Sequence, residues 1–272
     1  QGAPQILAAH ASLVVAGGME SMSNAPYLSP ATRAGARLGH ARMLDHMFLD
    51  GLEDAYEGGL MGSFAETCAG AYDFSRAAQD AYAIASLDRA RAATEAGILA
   101  AEIAPVTVTT RKGAATIATD EQPRNARPEK IPALKPAFAR DGTVTAANAS
   151  SISDGAAALV LMRMSEAKKR AVTPLAVIHG HATHAQEPAW FTTAPIGAVE
   201  KLLDKTGWHK ADVDLFEINE AFAVVTMAAM RDLDIPADKV NVHGGACALG
   251  HPVGASGARI IVTLLAALEK YD

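Results

Sequence analysis

The sequence has few cysteines, no long apolar run and no excess of positive charge, and each absence excludes a class of protein. Cys68 and Cys247 are the two cysteines among 272 residues, so a disulfide framework and a CxxC zinc pair are both excluded. No stretch approaches the ~18 consecutive apolar residues of a membrane span, and the first residues lack the order of a secretory signal peptide. We therefore expect a cytoplasmic protein without a membrane partner.

The charge balance argues against a nucleic-acid partner. Lys and Arg number 24 against 30 Asp and Glu, a net charge of −6, so local basic groups would have to bind any anionic ligand. Apolar residues make up 50%, enough to bury the core of one large or two moderate domains. Gln1 stands where an initiator Met would, and Asp272 directly follows an amphipathic stretch. We expect that both ends of a longer protein are missing.

The pattern of apolar residues predicts an α/β protein. Residues 12–16 predict a buried strand that ends at Gly17-Gly18, and Ser75 is placed to cap a helix that ends at Gly97. From Leu175 onwards strands and helices alternate, which is typical of helices that cover a mainly parallel sheet. The remaining predicted elements are strands at 103–110, 155–162 and 215–218, a helix that begins at 165–170, helices at about 195–207 and 221–233 and after Gly257, and an irregular proline-rich stretch at 111–141.

Polar residues at three element boundaries are candidates for a site, and each has a plainer reading. Asn219 follows a predicted strand and opens a helix, where ligands bind in α/β folds, but it also suits a helix N-cap. His251, held extended before Pro252, suits a general base or a structural histidine. Ser150 offers a hydroxyl in the small, polar segment 145–155, which otherwise reads as an ordinary turn.

Sequence motifs that cover nearly the whole chain resemble those of the thiolase family and occur in the family's order. They are GGMESMS at 17–23, LMGSFAE at 60–66, NAS…SDGAAA at 148–158, NEAFA at 219–223 and GGACALGHPVGASGAR at 244–259. The resemblance implies the thiolase fold, two similar α/β halves in five layers (αβαβα) with an inserted loop domain, and a homodimer or homotetramer. Residues 1–25 and 151–174 would belong to the N-terminal half, 26–150 to the loop domain and 175–272 to the C-terminal half.

The resemblance also implies an acyl-CoA:acyl-CoA C-acyltransferase. Such an enzyme catalyses the reversible condensation or thiolysis of short 3-oxoacyl-CoA, such as acetoacetyl-CoA, through a cysteine acyl-enzyme. By similarity His251 is the base that also donates to an oxyanion, and Asn219 positions a water in the oxyanion hole. Coenzyme A is then a substrate, and neither a cofactor nor a metal is expected.

Further positions resemble the residues that bind coenzyme A in the family. Arg111 and Lys112 resemble the basic loop that receives the nucleotide end, although they also suit a solvated turn. The residues similar to those of the pantetheine channel are Met61, Ala146, Ser150 and Phe222. Leu60 replaces a histidine that acetoacetyl-type thiolases often carry, which argues against strict two-carbon specificity.

Both cysteines of the family mechanism are absent from these residues. In the family the nucleophile lies in a CGSG segment before the position of Gln1, and the second cysteine lies in a CxGGG segment after Asp272. Cys247 occupies a packing position and Cys68 a buried one, so we expect this chain by itself to be inactive. The alternatives are a ketoacyl synthase, which NEAF together with GHP disfavours, and a non-catalytic acyl-CoA-binding or structural remnant.

Overall fold

The computed structural model describes residues 2–111 and 113–271. In this part of the chain the α-helices are α1 (Gly2–Leu7), α2 (Met61–Ala71), α3 (Arg76–Glu95), α4 (Ile98–Glu102), α5 (Glu121–Asn125), α6 (Met164–Lys169), α7 (Ala194–Thr206), α8 (Ala223–Asp232), α9 (Ala246–Leu249) and α10 (Val253–Tyr271). The strands are β1 (Leu13–Ser21), β2 (Tyr27–Leu28), β3 (Leu44–Asp45), β4 (Val106–Thr110), β5 (Gly113–Ile117) and β6 (Asp154–Met162). The expected α/β composition is therefore present.

Strands β1 and β6 form an antiparallel ribbon that joins distant parts of the chain. The register runs from Leu13 opposite Met162 to Ser21 opposite Asp154, and α10 packs against both strands. The prediction that Gly17-Gly18 ends the strand is wrong, because β1 continues through both glycines. A Cβ atom on Gly17 would overlap the backbone of β6, and one on Gly18 would overlap the carbonyl oxygen of Gly254. These glycines therefore permit close packing within a strand.

The expected mainly parallel sheet is not formed by the described residues. Their three two-stranded sheets, β1–β6, β2–β3 and β4–β5, are all antiparallel. The strand predicted at Leu175 is absent, since the segment is irregular and Leu175 is 75% exposed. The strand predicted at 215–218 is reduced to one parallel bridge between Phe216 and Val240. Apolar patterning alone is insufficient because a strand also needs a neighbour that satisfies its backbone.

Helices were predicted more accurately than strands. Helix α3 begins where Ser75 accepts a hydrogen bond from the amide of Ala78, at 3.1 Å, and it is followed by Gly97 with a φ of +75°. Helices α7 and α8 lie within two residues of their predicted bounds. The last helix, α10, begins at Val253, before the predicted start after Gly257. The stretch 111–141, predicted to be irregular, contains β5 and α5.

Helix α8 is the central element of the core next to the site. Its side chains pack against α2 and α3, and Val224 and Ala228 are both fully buried. Because the helix is fixed on these neighbours, the four residues before it, 219–222, are held at the boundary of the core. The division of the chain into two halves and a loop domain stays a prediction. No helix among the described residues has both the length and the apolar character needed to cross a membrane.

Candidate active site

The structure brings the two predicted catalytic residues together. Asn219 lies between the short parallel bridge and α8, and His251 lies between α9 and α10. The amide nitrogen Nδ2 of Asn219 is 3.4 Å from Nε2 of His251. The other amide atom, Oδ1 of Asn219, is buried and has no hydrogen-bond partner among the described residues. Asn219 can therefore accept a hydrogen bond from a ligand while its NH₂ group faces the imidazole.

The tautomer of His251 follows from its second neighbour. Nδ1 of His251 is 2.6 Å from the hydroxyl of Ser256, and that hydroxyl donates to the carbonyl of Pro252 at 3.1 Å. A hydroxyl has a single proton, so Ser256 accepts from Nδ1 and the hydrogen of neutral His251 lies on Nδ1. Nε2 then carries the lone pair next to Asn219. This is the arrangement that a general base requires.

Electrostatics favour the neutral imidazole. Burial lowers the pKa of His251, and the positive charge of Arg259 lowers it further. Both effects disfavour the imidazolium, because it would be a second cation in a poorly solvated site. The base is therefore present in its proton-accepting form at neutral pH.

Arg259 also interacts electrostatically with three carboxyl groups. Burial raises the pKa of Glu217 to about 8, although Arg259 opposes this effect, and both carboxyl oxygens lack hydrogen-bond partners among the described residues. Burial also raises the pKa of Glu102 and of Asp120, again opposed by Arg259. A single guanidinium thus influences the imidazole and three carboxyl groups.

Models of the thiolase family match almost the entire chain. The thiolase N-terminal domain matches residues 1–165, and the thiolase C-terminal domain matches residues 172–272. The chain belongs to the thiolase family. This assignment confirms the resemblance of the sequence motifs.

Similar proteins agree with this assignment. An acetyl-CoA acetyltransferase from Schizosaccharomyces pombe is 45% identical over 273 residues, which cover 100% of this chain and 69% of the relative. One from Paracoccus denitrificans is 47% identical, with 99% of this chain and 69% of the relative covered. The crystal structure of the Bacillus anthracis acetyl-CoA acetyltransferase superimposes with a TM-score of 0.95 at 40% identity, covering 99% of this chain and 68% of that one. The chain therefore has the α/β thiolase fold and spans about two thirds of its relatives' length.

Three of the four predicted pantetheine residues lie around the NEAF segment that carries Asn219. Ser150 lies beside the thiolase NEAF motif, since its hydroxyl donates to the carbonyl of Ala221 at 2.8 Å and the residue before it bridges to Phe222. Its hydroxyl proton is therefore engaged, and its oxygen remains able to accept. Met61 packs against the apolar cluster that contains Phe222, whereas Ala146 is exposed on the turn before Ser150.

Two further aromatic residues extend this apolar wall. The ring centroids of Phe138 and Phe191 lie 6.0 Å and 6.4 Å from that of Phe222. The sequence did not single them out, because Phe138 lies in irregular chain and Phe191 in a short 3-10 helix. Ser256 was also missed, although its position in the first turn of a helix after the GHP motif is a usable signal.

The basic loop occupies a hairpin turn. Arg111 is exposed at the tip between β4 and β5, where Thr110 pairs with Gly113. Lys112, the other predicted nucleotide-binding residue, lies outside the described residues. An exposed guanidinium at a turn is accessible to an anionic group.

Neither cysteine has the surroundings of a nucleophile. Cys68 is fully buried on α2, and burial raises the pKa of its thiol. Burial also raises the pKa of Cys247, and the nearby carboxylate of Glu220 adds to the effect. A thiol that stays protonated at neutral pH is a weak nucleophile. Among the described residues no cluster of acidic, histidine and cysteine side chains is arranged to hold a metal ion.

Proposed function

We propose that the protein is an acyl-CoA:acyl-CoA C-acyltransferase that catalyses the reversible Claisen condensation and thiolysis of short 3-oxoacyl-CoA. The preferred reaction is the interconversion of acetoacetyl-CoA and two acetyl-CoA. The observation that carries this proposal is the pair of Asn219 and His251, in which an amide donor lies 3.4 Å from the unprotonated Nε2 of the imidazole. Relatives named acetyl-CoA acetyltransferase support an enzyme of the thiolase type.

In the proposed reaction His251 accepts the proton of a thiol and stabilises the thioester oxygen as negative charge develops on it. Asn219 holds a water that donates to the enolate oxygen formed when the carbon–carbon bond breaks. A cysteine thiolate attacks the 3-oxo carbonyl, the carbon–carbon bond breaks, and the released enolate takes a proton from the second cysteine of the family mechanism to leave as acetyl-CoA. Coenzyme A then gives its thiol proton to that second cysteine and takes the acyl group from the first as a new thioester. Burial raises the thiol pKa of Cys68 and of Cys247, which disfavours both as the acyl acceptor, so we propose activity measurements on the full-length protein.

The substrate is held along the apolar wall. Met61 and Phe222 would contact the pantetheine arm, with Ser150 and Ala146 beside it, and Arg111 and Lys112 would receive the nucleotide end. Leu60 stands where acetoacetyl-type thiolases often carry a histidine, which argues against strict two-carbon specificity. We further propose a cytoplasmic homodimer or homotetramer, which light scattering after size exclusion would test.

The second candidate is an acyl-CoA-binding protein without turnover. It is favoured by the absence of a reactive thiol at Cys68 and Cys247. Calorimetric binding of coenzyme A to a protein that shows no thiolysis would support it.

The decisive assay is the loss of 3-oxoacyl-CoA absorbance when coenzyme A is added to the full-length protein. His251→Ala should lower turnover by ~10²-fold or more while leaving coenzyme A binding measurable, because it removes proton transfer and oxyanion donation. Asn219→Ala should slow the carbon–carbon step more than acyl transfer to the enzyme. The proposal fails if the folded wild type cleaves no chain length, or if His251→Ala retains near-normal turnover.

A further inference from the structure

A buried carboxylate lies next to the catalytic pair and is not part of it. Glu220 follows Asn219 directly in the chain and is 0% exposed. Its Oε1 accepts from the Tyr82 hydroxyl at 2.8 Å and from Nδ2 of Asn241 at 2.9 Å. Its Oε2 accepts from the Ser86 hydroxyl at 2.8 Å and from the amide of Cys247 at 3.0 Å. Every one of these groups donates, so the carboxylate has four uncharged donors and no ion pair among the described residues.

The donors come from three separate parts of the chain. Tyr82 and Ser86 lie one turn apart on α3, Asn241 follows the short parallel bridge, and Cys247 lies on α9, four residues before His251. Ser86 also accepts from the amide of Gly245 at 2.9 Å, so two amides of the segment that leads to His251 are bound at this point. Glu220 therefore joins the corner that carries Asn219 to the segment that carries His251.

The packing around Glu220 permits little adjustment. A Cβ atom on Gly245 would overlap the Glu220 carboxyl group, so the backbone lies directly against it. Asn241 cannot rotate freely, because its Oδ1 accepts from the amide of Ile218 and its Nδ2 donates to the carbonyl of Ile218, both at 2.8 Å. The orientation of Asn241 is thus fixed by backbone groups, and a second donor, the amide of Cys247, is itself part of the backbone.

A neutral amide cannot replace this carboxylate. If the NH₂ group of a glutamine took the place of Oε2, it would face the amide hydrogen of Cys247, which cannot accept. If it took the place of Oε1, it would face the NH₂ group of Asn241, and turning Asn241 would break both bonds to Ile218. Each orientation therefore sets two donors against each other, although glutamine has nearly the same shape as glutamate.

We propose that Glu220 is a positioning residue that holds Asn219 and His251 at their reactive separation. This inference rests on the proposed function of that pair. Glu220 touches neither reacting group and acts through the segments that it binds. Its loss moves the base and the amide donor apart without removing either, and a misplacement of about 1 Å lowers turnover by roughly 10²-fold.

The test is the Glu220→Gln variant of the full-length protein in the thiolysis assay. We expect kcat to fall by about 10- to 100-fold, while KM for the 3-oxoacyl-CoA stays within about twofold. In an Asn219→Ala background the same substitution should have a much smaller effect, since residues that act through one another are not additive. A crystal structure of the variant should show the Asn219 to His251 distance, now 3.4 Å, widened by ~0.5 Å or more.

A matched control separates positioning from a general loss of stability. Arg163, at the end of β6, donates to the carbonyl of Ile6 from both Nε, at 3.0 Å, and Nη2, at 2.6 Å. Arg163→Ala removes these bonds from an exposed side chain next to the end of β6 opposite the Gly155 contact with Pro252, so it should lower thermal stability and leave kcat within about twofold. If Glu220→Gln does not fold, Ser86→Ala removes one donor and should lower kcat by about threefold to tenfold.

The outcomes are distinguishable. An inactive wild type would refute the proposed function and this inference with it. If the wild type is active, two results would overturn the inference and leave the proposed function intact. In the first, Glu220→Gln keeps the wild-type kcat. In the second, Glu220→Gln lowers activity as much in the Asn219→Ala background as it does alone. The inference would also be overturned if Glu220→Gln and Arg163→Ala lose equal stability and their kcat values fall equally.

Discussion

Ser256→Ala should impair catalysis although Ser256 contacts no substrate. The hydroxyl of Ser256 is the acceptor for Nδ1 of His251, at 2.6 Å, and the residue is 3% exposed. Without it the Nδ1 hydrogen has no partner in a place that water reaches poorly. The imidazole then either rotates or shifts its hydrogen to Nε2, and in both cases the lone pair next to Asn219 is lost.

The magnitude follows from the hydrogen bond. Leaving a buried donor unpaired costs about 1–3 kcal/mol. If that energy is needed to restore the productive tautomer in the transition state, kcat/KM falls by about 5- to 150-fold. KM should change little, because Ser256 has no place in the proposed coenzyme A channel.

The assay is thiolysis by the full-length protein on the pH-independent plateau of kcat/KM. The matched control is Thr263→Val, on the same helix α10 and fully buried, whose hydroxyl donates to Glu102 at 3.0 Å. The control should lose stability to a similar extent and keep kcat/KM within about twofold. Equal activity of Ser256→Ala and Thr263→Val would refute the assignment of the His251 tautomer.

Two predictions concern pH. Folding raises the pKa of Glu217 from 4.5 to about 8, so the folded state retains a proton that the unfolded state loses, and stability should fall as pH rises through that interval. Glu217→Gln should therefore raise the free energy of unfolding of the full-length protein by up to about 4 kcal/mol at pH 8 and by less towards pH 5. Equal urea midpoints for the wild type and the variant at pH 8 would contradict this. Arg259→Gln removes a charge that lowers the pKa of His251, so the acid limb of kcat/KM should move to higher pH. An unchanged limb, or a shift to lower pH, would exclude that influence.

The parts of the fold that depend on neighbours in the sequence were predictable, and those that depend on distant partners were not. Ser75 and Gly97 act on the backbone within a few residues, so the bounds of α3 could be predicted. The continuation of β1 through Gly17 and Gly18 depends on the backbone of β6 and on Gly254, which only the folded chain brings near. The missing strand at Leu175 has the same cause, since an apolar run forms a strand only beside a partner.

The site shows the same division at the level of side chains. Motif resemblance singled out Asn219 and His251, but their separation depends on groups that the motifs do not mark as functional. Ser256 determines which nitrogen of His251 is protonated, Asn241 holds the backbone of Ile218 directly before Asn219, and Glu220 joins the two segments. All three are buried polar residues, so water cannot replace the protein groups to which each is hydrogen-bonded. Because an unpaired polar group in a core is unfavourable, such pairing selects one geometry over its near alternatives.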